Sequence, residues 1–153
     1  MRFYKFAKIA ARNFPTVADL NNPWIFSEDV AVVINVSQFQ KPEIVEMIKA
    51  KGIEYFHLPL NEEVADIGWE NIKQAVTILL QKERGGKRII VHCDFGQHRS
   101  RVVIEAFHYA KFAEHFADEY KGYNNHLIYN CQTQHLPDLQ TIETQLCNLQ
   151  QFM

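Results

Sequence analysis

The segment Val30-Ala31-Val32-Val33-Ile34-Asn35-Val36 constrains the fold more than any other stretch of the chain. A strand with one wet face alternates apolar and polar residues; this one is almost continuously β-branched and apolar, so both of its faces must be covered. It therefore reads as a central strand of a parallel sheet with helices on either side. Like every other apolar run near the front of the chain, it is far shorter than the ~20 residues that a membrane span needs.

The rest of the sequence supplies the coverings. Pro42 to Lys51 carries Ile44, Val45, Met47 and Ile48 among charged residues, with Gly52 just past its end, as a helix stop requires. Ile53 to Leu60 reads as a strand, and Pro59 ends its regular pairing before the polar loop Asn61 to Asp66. From Gly68 to Glu83, Trp69, Ile72, Val76, Leu79 and Leu80 recur at helical spacing, and Gly85-Gly86 terminates them. Lys87 to Val91 forms a strand ending at His92-Cys93, and a second long helical pattern runs from Arg99 to about Tyr120. Alternating strands and helices predict an α/β domain with a mostly parallel central sheet, whose site lies at the carboxyl ends of the strands.

Composition sets the outer limits. With 153 residues, 47% hydrophobic and 22% charged, the chain is expected to form one domain over 1–153, burying about 70% of its extended surface without disulfides or a structural metal. Sixteen Lys and Arg against eighteen Asp and Glu leave a formal charge of -2. That balance gives no global field for nucleic acid or for stable attachment to an anionic membrane, so any anion site must be local. The N-terminus has no apolar signal core, and Cys93, Cys131 and Cys147 make no C-x-x-C spacing. The expectation is a soluble cytoplasmic protein with reduced thiols. Asn35-Val36-Ser37 matches a glycosylation sequon by chance, inside a buried strand. The seven histidines form no H-E-x-x-H pattern or Cys/His cluster, so no metal site is read.

Chemistry concentrates in His92-Cys93-Asp94-Phe95-Gly96-Gln97-His98-Arg99-Ser100. A thiol ends a buried strand, five residues of loop follow, and an arginine and a hydroxyl open a helix. A loop curling ahead of a helix N-terminus aims backbone N–H groups into one concavity, where the helix dipole adds partial positive charge. The same field favours a thiolate over a thiol. Arg99 offers a planar fork for two phosphate oxygens, and Gly96 gives the loop backbone freedom that a β-carbon would deny.

This segment resembles the H-C-x5-R-S signature of the cysteine-dependent protein tyrosine phosphatases, in particular the dual-specificity subgroup. Ile89-Ile90-Val91-His92-Cys93 is similar to the family's strand into the loop, Ile53 to Leu60 to the strand before its general-acid loop, and Val33-Ile34-Asn35-Val36-Ser37 to its early central strand. The resemblance is clearest over about 24–115, and it implies a three-layer domain with helices flanking the sheet. It implies that Cys93 is the nucleophile of a cysteinyl-phosphate intermediate, that Arg99 and the main-chain amides of Asp94, Phe95, Gly96, Gln97, His98 and Arg99 cradle phosphate, and that Ser100 assists the thiolate. His92 is expected behind the loop, orienting it and tuning Cys93. No cofactor is implied.

The family's general acid is usually an Asp, and none stands at the matching place. Three residues after Pro59 comes Glu62, the first candidate; Asp66 is the alternative, with Glu63 or no protein acid remaining. The loop holds no lysine of the kind found in relatives acting on inositol lipids, and Asp94 adds negative charge, with its backbone amide rather than its side chain expected to face phosphate. Both features favour a phosphorylated protein or a small phosphoester as substrate. The expected activity is phosphomonoester hydrolysis, on phosphotyrosine and also on phosphoserine or phosphothreonine; a catalytically weak phosphopeptide-binding module of the same fold is the alternative. Sulfur or arsenate chemistry on the same loop is a third reading, and the depth of Cys93 in the chain argues against the arsenate branch.

Two flanking patterns remain. Arg2, Lys5, Lys8 and Arg12 alternate with Phe3, Phe6, Ile9 and Phe14, which reads as an element packed on the core with solvated lysines ahead of a basic arm. Leu139, Ile142, Leu146 and Leu149 have helical spacing and are expected to pack on the sheet rather than dimerise.

Overall fold

The computed structural model describes residues 2–3, 8–61, 68–94 and 99–112. Its elements are β1 (Arg2–Phe3), β2 (Ile9–Arg12), α1 (Val17–Leu20), β3 (Val30–Asn35), α2 (Pro42–Ala50), β4 (Glu54–His57), α3 (Trp69–Lys82), β5 (Arg88–His92) and α4 (Arg99–Phe112). The sheet order is β1-β2-β5-β3-β4. β2, β5, β3 and β4 run parallel, and β1 joins the β2 edge antiparallel.

The continuous apolar run explains itself in the packing. Val32 and Ile34 point to one side of the sheet, where with Ile89 and Val91 they meet Ile72, Val76 and Leu79 of α3 and Val102, Val103 and Phe107 of α4. Val33 and Ile90 point to the other, against Leu20 of α1 and Ile44 and Ile48 of α2. β3 and β5 thus feed both cores, and burial of each Val or Ile is worth roughly 1.5–3 kcal/mol. The result is the three-layer arrangement the sequence predicts.

Boundaries moved slightly. Regular pairing in β4 stops at His57, yet Leu58 and Leu60 continue to donate to Asn35 and Val36 carbonyls at 2.9 and 3.0 Å, so the chain follows β3 up to Pro59-Leu60. α2 stops one residue before Lys51, with Gly52 beyond it at φ +77°, and α3 ends in a short 3-10 turn, Glu83–Gly85. The N-terminal pattern is a strand: Ile9 and Ala10 are fully buried and β2 pairs with β5 from Ile9↔Ile89 to Arg12↔His92. Arg12 is no solvated cation, since it pairs with Asp19 at 2.8 Å. Asn35 and Ser37 have no exposed surface, so the sequon is buried in the sheet. Residues 113–120 of the long helical pattern, the pattern from Leu139 to Leu149, and Cys131 and Cys147 lie outside the described residues.

Among the described residues no helix is long and apolar enough to cross a membrane.

Candidate active site

The four parallel strands deliver their carboxyl ends to one edge, and the polar residues there are held by short links between neighbouring strands. Val36 N–H donates to the His92 carbonyl at 2.8 Å, and Cys93 N–H to that of Arg12 at 3.2 Å. The chain leaving β2 closes the other side, where Phe14 N–H donates to the Asp94 carbonyl at 3.1 Å. The main chain from His92 to Asp94 is thereby clamped between β2 and β3 before the loop begins.

Cys93 is 2% exposed and packs into the core shared by α3 and α4. Its Sγ lies 3.5 Å from the Oγ of Ser100, a fully buried hydroxyl in the first turn of α4. The sulfur therefore sits at a helix N-terminus with a hydroxyl beside it, two features that favour the anion. Arg99 is 3% exposed, and its guanidinium donates to Asp94 Oδ2 at 2.6 Å and to the Leu60 carbonyl at 3.4 Å. The segment thus places Cys93 beside Ser100 and Arg99 beside Asp94, and the Asp94 side chain, expected to leave the facing of phosphate to its backbone amide, lies on the Arg99 guanidinium.

His92 stands behind the sulfur. It is almost fully buried, its ring meets Phe14 edge-on at 4.8 Å, and its Nδ1 lies 3.4 Å from the Cys93 carbonyl, a contact that calls for the Nδ1–H tautomer. Burial, the largest influence, pushes its pKa down from 6.5 to about 4, against the opposing pull of the Cys93 carbonyl and Asp94. The ring is uncharged at neutral pH. The ring therefore brings no positive charge to Cys93.

The candidate acids Glu62, Asp66 and Glu63, and the loop residues Phe95, Gly96, Gln97 and His98, lie outside the described residues. The ends of the acid segment are described. Gln38 Nε2 donates to the Leu60 carbonyl at 2.9 Å and to Asn61 Oδ1 at 2.7 Å, so Leu60 O accepts from both Gln38 and Arg99. At the far end Asn71 Nδ2 donates to the Pro59 carbonyl at 2.8 Å. Gly68, at φ +107°, passes so close that an added Cβ would stand 3.2 Å from Leu60. A side chain there would meet both backbone strain and a clash.

Sequence reasoning missed two supports. Asn35 is fully buried and donates to the Phe39 carbonyl at 2.7 Å and the Tyr55 hydroxyl at 3.0 Å, while its Oδ1 accepts from Ser37 N–H at 2.8 Å. These bonds shape the turn leaving β3 beside Cys93. Burial, against the bond from Asn35, raises the pKa of Tyr55. A lone amide in an apolar strand was the available signal, because a buried polar group needs partners. Gln38 offered only its place after a parallel strand.

With this geometry in view, the comparison with known families is decisive: residues 19–125 match the dual specificity phosphatase catalytic domain. The chain belongs to that family. Solved structures share its fold. Tk-PTP in its active form superposes with a TM-score of 0.63 at 19% identity, covering 99% of this chain and 96% of that one. The core catalytic domain of the PP-IP phosphatase SIW14 from S. cerevisiae, in complex with citrate, gives 0.64 at 16% identity, covering 95% and 90%. DUSP15 gives 0.62 at 14%, covering 96% and 88%. Among curated proteins no sequence matches. The chain is therefore a phosphatase domain of the tyrosine and dual-specificity superfamily.

Proposed function

We propose that this domain hydrolyses phosphomonoesters through a cysteinyl-phosphate, acting on phosphotyrosine in proteins and also on phosphoserine or phosphothreonine. The contact of Cys93 Sγ with Ser100 Oγ at the start of α4, beside the buried Arg99, carries the reading. The Cys93 thiolate attacks phosphorus while Arg99 and the loop amides hold the equatorial oxygens; the S–P bond forms as the ester P–O bond breaks. Glu62, or Asp66 in its place, gives its proton to the leaving oxygen. Water then attacks phosphorus and yields a proton to the same carboxylate. The S–P bond breaks, inorganic phosphate leaves, and Ser100 stabilises the departing thiolate.

SIW14 shares the fold at 16% identity, which carries no substrate across. The lysine-free loop and Asp94 support a substrate of low charge instead. A Glu where the family usually has Asp favours a second reading, a phosphopeptide-binding module with little turnover. Turnover of p-nitrophenyl phosphate under reducing conditions with EDTA, abolished by Cys93→Ser, is the expected result. Because that leaving group is already good, Glu62→Gln should act on a phosphotyrosine peptide, lowering kcat at least tenfold. Phosphate binding without turnover of either substrate would replace the enzyme reading with the module.

A further inference from the structure

Asp94 opens the phosphate loop, and its main chain is pinned through the bond from Phe14. Its side chain turns towards the site, where Oδ2 accepts from Arg99 at 2.6 Å. Arg99 is 3% exposed and Asp94 31%, so the pair sits in a medium where one charge acts on another much more strongly than in water. On the reading above, this guanidinium is also the group that holds phosphate. An entering phosphate dianion meets a cation that already has a carboxylate against it.

The surroundings do little to offset that carboxylate. Arg12, one strand away, is paired with Asp19 at 2.8 Å, and His92 is uncharged at neutral pH. Lys41 stands at the rim over the Phe14 ring, 4.9 Å from its centroid, where it is exposed and screened by solvent. Arg101, in the same first turn of α4, is a further half-buried cation two residues on from Arg99. A single phosphate ester can still be held by Arg99 and the loop amides. A second phosphate close by would bring further negative charge towards Asp94.

We propose that Asp94 is a specificity-determining residue: its carboxylate, held on Arg99, lowers the positive potential of the phosphate site, so that lone phosphate esters are accepted and substrates bearing an adjacent second phosphate are turned away. The inference rests on Cys93 and Arg99 forming a phosphate site. The same carboxylate would oppose the product, inorganic phosphate.

The test is direct titration of inorganic phosphate and of pyrophosphate into the Cys93→Ser protein, with Asp94 intact and with Asp94→Asn. Asn keeps an acceptor for Arg99 and removes the charge. With Asp94 intact, pyrophosphate should bind no tighter than phosphate; Asp94→Asn should tighten phosphate about tenfold and pyrophosphate by about a hundredfold. Pyrophosphate binding tenfold tighter than phosphate with Asp94 intact would overturn the proposal, and that measurement needs no change at Asp94. Unchanged or weakened binding of both anions in Asp94→Asn would also overturn it, the carboxylate then serving only to orient Arg99. If Asp94→Asn fails to fold, Asp94→Ser carries the same comparison. Turnover of p-nitrophenyl phosphate by the unmodified protein, run in parallel, separates the two levels. Cys93-dependent turnover with an unmoved anion preference sinks only the role of Asp94, whereas absence of both turnover and phosphate binding sinks the site and this inference with it.

Discussion

At the amino end of the sheet, Arg88 of β5 pairs with Asp29 at 3.1 Å with each side chain more than a third exposed; at the carboxyl end, Arg99 pairs with Asp94 at 2.6 Å with the arginine 3% exposed. The contrast extends to their neighbours. Lys82–Glu54, the other pair near the amino end, is also largely in water. Of the buried polar side chains among the described residues, Asn35, Ser37, His92, Arg99 and Ser100 gather at the carboxyl end, with only Glu105 further along α4. Charges in water are held loosely and contribute little, whereas buried polar groups keep one geometry because each lost bond is costly. The end that spends stability on buried polarity is the end equipped for chemistry.

The largest break in this contrast comes from Arg99→Met. On the proposed mechanism, in which Arg99 is the principal donor to the transferring phosphate, we expect kcat/KM on a phosphotyrosine peptide to fall about a thousandfold. Stability should fall only by about 1–2 kcal/mol in urea unfolding, since the partly exposed Asp94 can reach water.

His92 sharpens the contrast through pH. Its pKa of about 4 in the folded protein lies below the ordinary 6.5, so the unfolded chain takes up a proton that the folded chain resists. The stability this gives is whole above pH 6.5 and is lost as pH falls from there towards 4. Between pH 7.5 and pH 4.5, unfolding free energies should show the native protein losing about 2–3 kcal/mol more than His92→Asn loses. Equal losses in the two proteins would mean that His92 is not buried as a neutral ring.

Asn35→Ala should cost about 1–3 kcal/mol, because it strands the buried Ser37 amide and leaves the Phe39 carbonyl only the Ser37 hydroxyl. Amide exchange at Ser37 should rise with it. The smallest effect belongs to the amino end: Arg88→Met is expected to shift stability by under about 1 kcal/mol and to leave turnover alone. A change at Arg88 as large as that at Arg99 would erase the distinction between the two ends.

Much of this was legible in the chain. The unbroken Val30–Val36 run demanded covering on both faces, and the two cores on either side of Val32 and Val33 are that covering. The spacing from Cys93 to Arg99 and Ser100 announced a strand, loop and helix start, and the sulfur does meet the Ser100 hydroxyl. The N-terminal pattern was legible as an element packed on the core, but not as a strand, because only four residues of β2 pair. Its place beside β5 depends on partners far along the sequence.

Local pattern therefore determined the element types from β3 to α4, the parallel sheet and the residues around Cys93, since periodicity and turn chemistry act over a few neighbours. Tertiary structure alone decided that Asp94 turns onto Arg99, that Leu60 O is shared by Arg99 and Gln38, and that His92 is buried as a neutral ring. Those outcomes depend on which strands lie side by side and on how much water their packing excludes, and neither is encoded within one segment.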